Sequence, residues 1–271
     1  MKNYAISILV IISLLTGFIG LFYTTTIASS EDSTKTSRKV FFCWGFDDTG
    51  AQAWIDWLNL KGFTALKFKA EEANSTDLSA VELIIIGSDT GSNWSDNTNL
   101  FGIIHSSKPI LAMGSGGAKY LWNAGAGTGG HYQIYSNIQA VTANDTNHEI
   151  YNVPNKMPYS DMYVYDSQRS GTCYKLADLP NNVTILGKDT SDLDWALITN
   201  ETSGMYEYTT WGFNTADPAN LNDEGKLLFE NVVWFALGGY PVPEINDILF
   251  LSFGATGLFA FFICYIRRKK T

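Results

Sequence analysis

Two uncharged apolar runs bracket the chain and decide which residues can build a water-soluble fold. The first is Ala5 to Tyr23 (AISILVIISLLTGFIGLFY) and the second is Ile248 to Ile266 (ILFLSFGATGLFAFFICYI). At 1.5 Å per residue, a helix over the second run spans about 28 Å, close to one hydrocarbon core. The first run follows Lys2 and precedes Thr26-Ile27-Ala28, a small-x-small pattern. It therefore reads as a signal peptide, and an uncleaved membrane anchor is the competing reading. A buried core helix would show a polar face, and this run has none. The second run is followed at once by Arg267-Arg268-Lys269-Lys270. Basic residues stay cytoplasmic, so the C-terminus is expected inside. Either reading of the first run places residues 29–246 outside the cytoplasm.

The expected organisation follows from those ends. Residues 1–28 are a signal peptide or anchor, 29–39 a polar linker, 40–239 an α/β domain and 240–247 a stalk. Residues 248–266 are a transmembrane helix and 267–271 a basic cytoplasmic tail. Pro241-Val242-Pro243-Glu244, an apolar helix and a basic cluster resemble the tripartite sorting tails of prokaryotic surface proteins, and a plain stop-transfer helix is the other reading. Five N-x-[ST] sequons, at Asn74, Asn93, Asn144, Asn182 and Asn200, all lie between the apolar ends, where export would expose them to glycosylation.

The charge balance excludes one class of partner. Five of the 18 basic residues sit at the two ends, while all 27 acids lie between Glu31 and Asp247. The middle of the chain thus carries 13 positive and 27 negative charges, a net of −14. So acidic a body lacks the basic face that phosphates demand, and no nucleic-acid partner is expected. The expected partners are the membrane, through the C-terminal helix, and a surface protein or glycan. Three cysteines cannot make a disulfide scaffold. A Cys43–Cys173 bridge is open to an exported chain, though no spacing requires it.

Between the ends, short apolar runs alternate with helical periodicity. Val40–Trp44, Thr64–Phe68, Val81–Ile86 and Pro109–Met113 read as strands, and the continuous apolar runs among them suit burial on both faces. Ala51–Leu60, Leu100–His105 and a segment from Ala118 to Trp122 read as helices, with Gly62 at a C-cap. This βαββαβα order predicts a doubly wound, mostly parallel sheet. Val183–Leu186, Trp195–Thr199 and Gly204–Trp211 are too closely spaced for crossovers and predict an antiparallel extension. Leu227–Leu237 is the last helix, with Asn222 as its N-cap. Gly125–Gly130 (GAGTGG) reads as a flexible loop, and no element is assigned across the Tyr- and Pro-rich stretch 151–166.

Ligands of such sheets bind beyond the carboxyl ends of the strands. Loops 45–50, 87–92 and 114–117 are expected to meet there. They bring Asp47, Asp48, Asp89, Ser115 and the glycines Gly114, Gly116 and Gly117 to one crevice, with Trp211 at the end of a neighbouring strand. The three aspartates could hold a hard cation, or they could cap helix N-termini and turns. They lack a fixed metal-loop spacing, so no metal and no cofactor is expected. Trp44, Trp94, Trp122 and Trp211 lie near predicted loops and could form a sugar-stacking platform, or they could pack in the core.

Three stretches together resemble the class I glutamine amidotransferase-like superfamily and its ThuA-like relatives. They are Val81–Gly87 (VELIIIG), Lys108–Ala118 (KPILAMGSGGA), and Gly204–Gly238 with Asp223–Asn231 (DEGKLLFEN) opening the terminal helix. The resemblance spans about Lys39 to Gly239. It implies a strand, a strained elbow bearing a nucleophile, and a helix over the second stretch, with glycines making room around the elbow. It places Ser115 where the family carries a nucleophilic Cys. The His and Glu that the family supplies after its last strand are missing, since Trp211-Gly212-Phe213-Asn214-Thr215 stands there. Without a base, a serine hydroxyl is almost never ionised near pH 7. His131 or His148 could serve as that base only if the fold brings one of them back to Ser115. The resemblance with these departures implies a surface domain that binds or supports rather than catalyses. A surface hydrolase using Ser115 with an unrecognised base is the alternative.

Overall fold

The computed structural model describes residues 37–95, 97–203 and 206–240. Both apolar ends lie outside the described residues. Among the described residues, no helix is long and apolar enough to cross a membrane.

Four parallel strands and their helices form the first half. β1 (Lys39–Trp44), β2 (Thr64–Lys69), β3 (Leu83–Ile86) and β4 (Ile110–Met113) alternate with α1 (Asp48–Leu60), α2 (Asn97–Ile104) and α3 (Gly114–Ala124). β1 lies between β2 and β3, and β4 follows β3, so the winding reverses at β1. The apolar runs of β3 and β4 have a direct physical reading. Leu83, Ile85, Leu111 and Met113 pack on one face of the sheet, while Ile84, Ile86, Ile110 and Ala112 pack on the other. α1 covers the first face and α2 and α3 cover the second, so neither set of side chains can be polar.

The rest of the sheet is antiparallel. β9 (Val183–Asp189), β10 (Trp195–Ser203) and β11 (Tyr206–Trp211) form a meander. β11 is the seam, antiparallel to β10 and parallel to β4. The described sheet reads β2-β1-β3-β4-β11-β10-β9-β6-β7. Four strands lie between residues 131 and 182, where the sequence pattern assigns none: β5 (Tyr132–Ile138), β6 (Ala140–Ala143), β7 (Asp161–Tyr163), in the Tyr- and Pro-rich stretch, and β8 (Arg169–Lys175). β6 and β7 extend the sheet beyond β9, while β8 pairs with the start of β10 and carries β5 on its far edge. The exposed residues 133–137 of β5 and the exposed or half-buried ends of β6 to β8 erase the continuous apolar pattern that marks a strand buried on both faces.

The final helix, α4 (Asp223–Ala236), returns to the α1 face. Asn222 caps it by accepting from the Gly225 amide at 2.8 Å. Trp54 of α1 meets Phe229 of α4 at 4.6 Å between ring centroids and lies 6.0 Å from Phe42 of β1. This aromatic cluster binds two helices to the sheet, and its indole nitrogen donates to the Thr215 carbonyl at 3.3 Å.

The 125–130 loop is not the free segment expected from its glycines. The buried Glu201 carboxylate accepts from the Gly127 amide at 2.8 Å, the Thr128 amide at 2.9 Å and the Thr128 hydroxyl at 2.7 Å. Cys43 and Cys173 are both free thiols and belong to different packing clusters, so no bridge links them. Burial pushes both thiols up, with nearby carboxylates adding to the effect, which makes them poor nucleophiles.

Candidate functional site

The bend between β4 and α3 sits where the sequence predicts it, but one residue earlier. Met113 ends the strand at φ −97° and ψ 130°, and Gly114 carries the positive φ of +48°. Ser115 has no left-handed backbone; Ser107 is the one non-glycine residue with positive φ among those described. The strained position that the family resemblance assigns to a nucleophile is therefore Gly114, which has no side chain. Ser115 is the residue after it.

The neighbouring glycines are dictated by close approach. A Cβ on Gly117 would lie 2.7 Å from the Ala112 Cα, and one on Gly116 would lie 2.7 Å from the Thr90 hydroxyl, each also striking backbone carbonyl groups. A Cβ on Gly114 would collide with the side-chain oxygen of Asn214. Gly116 also ties α3 to the loop after β3, its amide donating to the Ser88 carbonyl at 3.1 Å.

Asn214 occupies the elbow. Its Oδ1 accepts from the Ser115 amide at 2.7 Å, and its Nδ2 donates to the Ser170 hydroxyl at 3.3 Å. The Ser115 amide opens a helix, where backbone N–H groups normally face an anion or a developing negative charge. Here a neutral amide oxygen of the same chain takes that place. The Ser115 hydroxyl donates to the Ser88 carbonyl at 3.3 Å and has no histidine beside it.

Neither candidate base reaches it. His131 is exposed and closes the turn after α3, an 11-residue helix that begins at the elbow. Along the helix axis that is about 15 Å. His148 caps the turn at 149–151, its Nδ1 accepting from the Ile150 amide at 3.4 Å, and packs edge-on against Phe235 of α4 at 5.3 Å.

The aspartates are used by the loops themselves. Asp89 Oδ2 accepts from three successive amides, Gly45 at 3.0 Å, Phe46 at 2.9 Å and Asp47 at 2.9 Å. These amides follow the carboxyl end of β1 and Asp89 follows that of β3, so the bonds join the two loops where the winding reverses. Asp47 caps α1 through the Gly50 amide at 3.0 Å. Asp48 is exposed and pairs with Lys67. Among the described residues, no cluster of three His, Cys, Asp or Glu side chains is arranged to hold a metal ion.

Trp211 does not line the crevice. It pairs with Met113 in register, is fully buried, and packs on Phe213 at 4.8 Å and Phe229 at 5.1 Å. A side chain at the end of a strand points to one face or the other, and this one points under α4. Trp94 is also buried, donating to the Thr90 hydroxyl at 2.9 Å. Trp122 is exposed at the far end of α3 and Trp44 is half-buried at the end of β1, so the four tryptophans form no common platform.

The sequon asparagines differ in access. Asn74, Asn144 and Asn182 are exposed, although Asn182 Nδ2 donates to Glu201 at 3.3 Å. Asn93 is half-buried in the turn after β3. Asn200 is half-buried within β10 and accepts from the Thr209 hydroxyl at 3.1 Å.

Two roles escape sequence reasoning. Asn214 lies in the very stretch that lacks the family's His and Glu, and its own amide is the group that reaches the elbow. Asp89 is expected in the crevice, but its three amide partners are not. The shared signal is a polar side chain three residues after the end of a buried strand.

The fold is amidotransferase-like. A candidate GMP synthase subunit from Thermoplasma acidophilum superposes on 74% of this chain over 95% of its own length, with a TM-score of 0.50 at 11% identity. PurLQS from Thermotoga maritima matches 74% of this chain over 99% of its own, with a TM-score of 0.49 at 12% identity. A Trypanosoma brucei CTPS glutaminase domain with bound acivicin matches 76% over 96%, with a TM-score of 0.48 at 10% identity. No family model matches the sequence, and no curated protein matches it.

Proposed function

We propose that the chain is a membrane-tethered, extracytoplasmic domain that uses an amidotransferase-like fold for binding or support at the cell surface and not for catalysis. One observation carries the non-catalytic part. The elbow position is Gly114, and the Asn214 amide oxygen lies on the Ser115 amide 2.7 Å away. A covalent mechanism needs a nucleophile with a base in reach and an open donor for the developing oxyanion. The elbow supplies no side chain at its strained residue, no histidine at Ser115, and a donor already bonded within the chain.

The tether rests on the sequence: Ile248 to Ile266 followed by four basic residues, an apolar run behind Lys2, and five sequons between them.

Two measurements test the reading on the full chain. A fluorophosphonate probe should label wild type and Ser115→Ala alike, at background. Labelling that depends on Ser115 restores the hydrolase alternative. Protease added outside intact cells should degrade residues 29–246 and spare a tag placed after Thr271. Loss of the tag with survival of the body reverses the orientation.

A further inference from the structure

A cavity of about 340 Å³ opens at the carboxyl ends of β1 and β2, beside the turn that follows β3. It is separate from the elbow. Trp44, Phe46, Asp48, Lys69, Glu71 and Asn93 line it. We infer that this cavity seats a neutral sugar ring, held against Trp44 and Phe46 and hydrogen-bonded by the polar side chains around them. The inference rests on the extracytoplasmic reading given above and names the ligand class of that binding role.

Three observations point to this chemistry. The first is an aromatic side chain at a concave, polar-lined site. Phe46 stands 77% exposed at the cavity rim, and Trp44 is half-buried at its wall with the Lys67 and Lys69 ammonium groups 5.8 and 5.9 Å from its ring centroid. An aromatic face beside several hydrogen-bonding groups suits the C–H face of a sugar.

The second is the pairing of the charges. Lys69 bonds Glu71 at 2.9 Å, and Lys67, beside the same tryptophan ring, bonds Asp48. Both ammonium groups at this end of the sheet are thus matched by a carboxylate. A phosphate, sulfate or acidic ligand would find no unmatched positive charge and would meet Asp48 and Glu71. Carboxylates, an amide and a paired ammonium offer acceptors and donors at once, which is what a ring of hydroxyls requires.

The third is position. The cavity lies outside the carboxyl ends of the strands next to the point where the winding reverses, and the three amides nearest that point are already held by Asp89. An incoming ligand is therefore left with the outer wall. Its size falls at the low end of ordinary ligand cavities, roughly 300–1,000 Å³, and suits a short saccharide rather than a long chain.

The sugar has two sources. Asn93-Trp94-Ser95 is a sequon, and Asn93 itself lines the cavity. The seated ring either belongs to a glycan on this asparagine or comes from another molecule. The experiment separates them. The full chain in detergent is titrated with neutral N-acetylglucosamine, mannose, glucose and galactose oligosaccharides, and with sialylated and sulfated counterparts, by saturation-transfer NMR.

Wild type, Ser95→Ala, Trp44→Ala and Phe46→Ala are compared. Ser95→Ala removes the sequon and keeps the Asn93 side chain. Equal binding by wild type and Ser95→Ala assigns the seat to an external saccharide. Binding gained only in Ser95→Ala assigns it to the chain's own glycan. Phe46→Ala, made in wild type in the first case and together with Ser95→Ala in the second, should weaken binding tenfold or more. This residue is exposed, so the result stands even if Trp44→Ala fails to fold.

No neutral saccharide bound by wild type or Ser95→Ala overturns the inference, as does binding unaffected by Phe46→Ala or stronger for the acidic saccharides. These outcomes leave the non-catalytic reading in place. Cleavage of a bound saccharide, lost in Ser115→Ala, would sink that reading and leave the cavity assignment standing.

Discussion

Two regions at the same edge of the sheet have opposite fates. In the inner crevice, the amides that such folds turn toward ligands are already occupied: Asp89 holds those of residues 45–47, and Asn214 holds that of Ser115. In the outer cavity, Phe46 stands exposed to solvent beside Trp44, whose ring carries the Lys67 and Lys69 ammonium groups. On the non-catalytic reading proposed above, an amidotransferase-like architecture persists without its chemistry. The strand-turn-helix geometry is held by the packing of β4 against α3, and the proposed recognition uses the cavity beside it.

The strongest way to break this contrast is steric. Gly117 lies on the Ala112 backbone, so Gly117→Val must separate β4 from α3. Overpacking against backbone cannot be relieved by a rotamer change, and we expect a cost of about 3 kcal/mol. For a domain of this size that lowers the melting temperature by about 6–12 °C. Thermal unfolding of the detergent-solubilised full chain checks this. A variant that melts with wild type would show that the elbow is not tight, and that its glycines are not kept for packing.

Next is alkaline sensitivity behind the sealed elbow. Tyr165 is buried with its hydroxyl 2.9 Å from the Thr215 hydroxyl, next to Asn214 in sequence, and burial pushes its ionisation up to about 12. The folded value lies above the ordinary value near 10, so the folded state favours the protonated phenol. That stability is fully present below pH about 10 and is lost as pH rises toward 12. The full loss is about 3 kcal/mol. Tyr151 and Tyr174 are raised in the same direction, also by burial, and add to it. Denaturant unfolding between pH 9 and 12 should show a shallower decline for Tyr165→Phe than for wild type. Parallel declines would mean that this phenol is open to water.

A smaller effect links the two regions. Asp89→Ala removes the acceptor of three loop amides while leaving the cavity's own side chains in place. Hydrogen bonds to a charged group contribute about 1.5–3 kcal/mol, and water replaces part of the loss at this half-exposed site, so about 2 kcal/mol is expected. The loop that carries Phe46 should also exchange its amide protons faster. Unchanged exchange at residues 45–47 would mean that the loop is held by its packing alone.

What can be read from the sequence follows from where burial is two-sided. β3 and β4 are legible because both faces are covered, so every residue from Leu83 to Ile86 is apolar. α4 is legible through its Asn222 cap and the apolar spacing of Leu228, Val232 and Phe229. β5 to β8 are not, because their order comes from pairing between distant positions rather than from a local pattern: Tyr132 opposes Tyr174, and Ala140 opposes Tyr163 only after a long turn. The elbow is legible to within one residue. In Gly114-Ser115-Gly116-Gly117 the small side chains give no local cue to where the bend falls. The bend is fixed by Asn214, 99 positions away from the amide that it meets. Trp211 departs from its expected place for a related reason: strand parity, set by its register with Met113, sends its ring under α4.

The smallest effect is the most discriminating. Ser115 looks like a nucleophile in sequence, yet its hydroxyl makes one long bond, 3.3 Å to the Ser88 carbonyl, from a half-buried position. Its amide, not its hydroxyl, ties the elbow to Asn214, and Ser115→Ala keeps the amide. Alanine also favours the first turn of a helix at least as well as serine. Deleting so weak a hydroxyl contact should change stability by no more than about 0.5 kcal/mol. Asn214→Ala should cost more, about 1 kcal/mol, because it leaves the Ser115 amide without its acceptor. The order of the two variants is the test, read by denaturant unfolding of the full chain. Should Ser115→Ala prove the more damaging, the hydroxyl would be the group around which the crevice is built, and the assignment of the sealed elbow to Asn214 would fail.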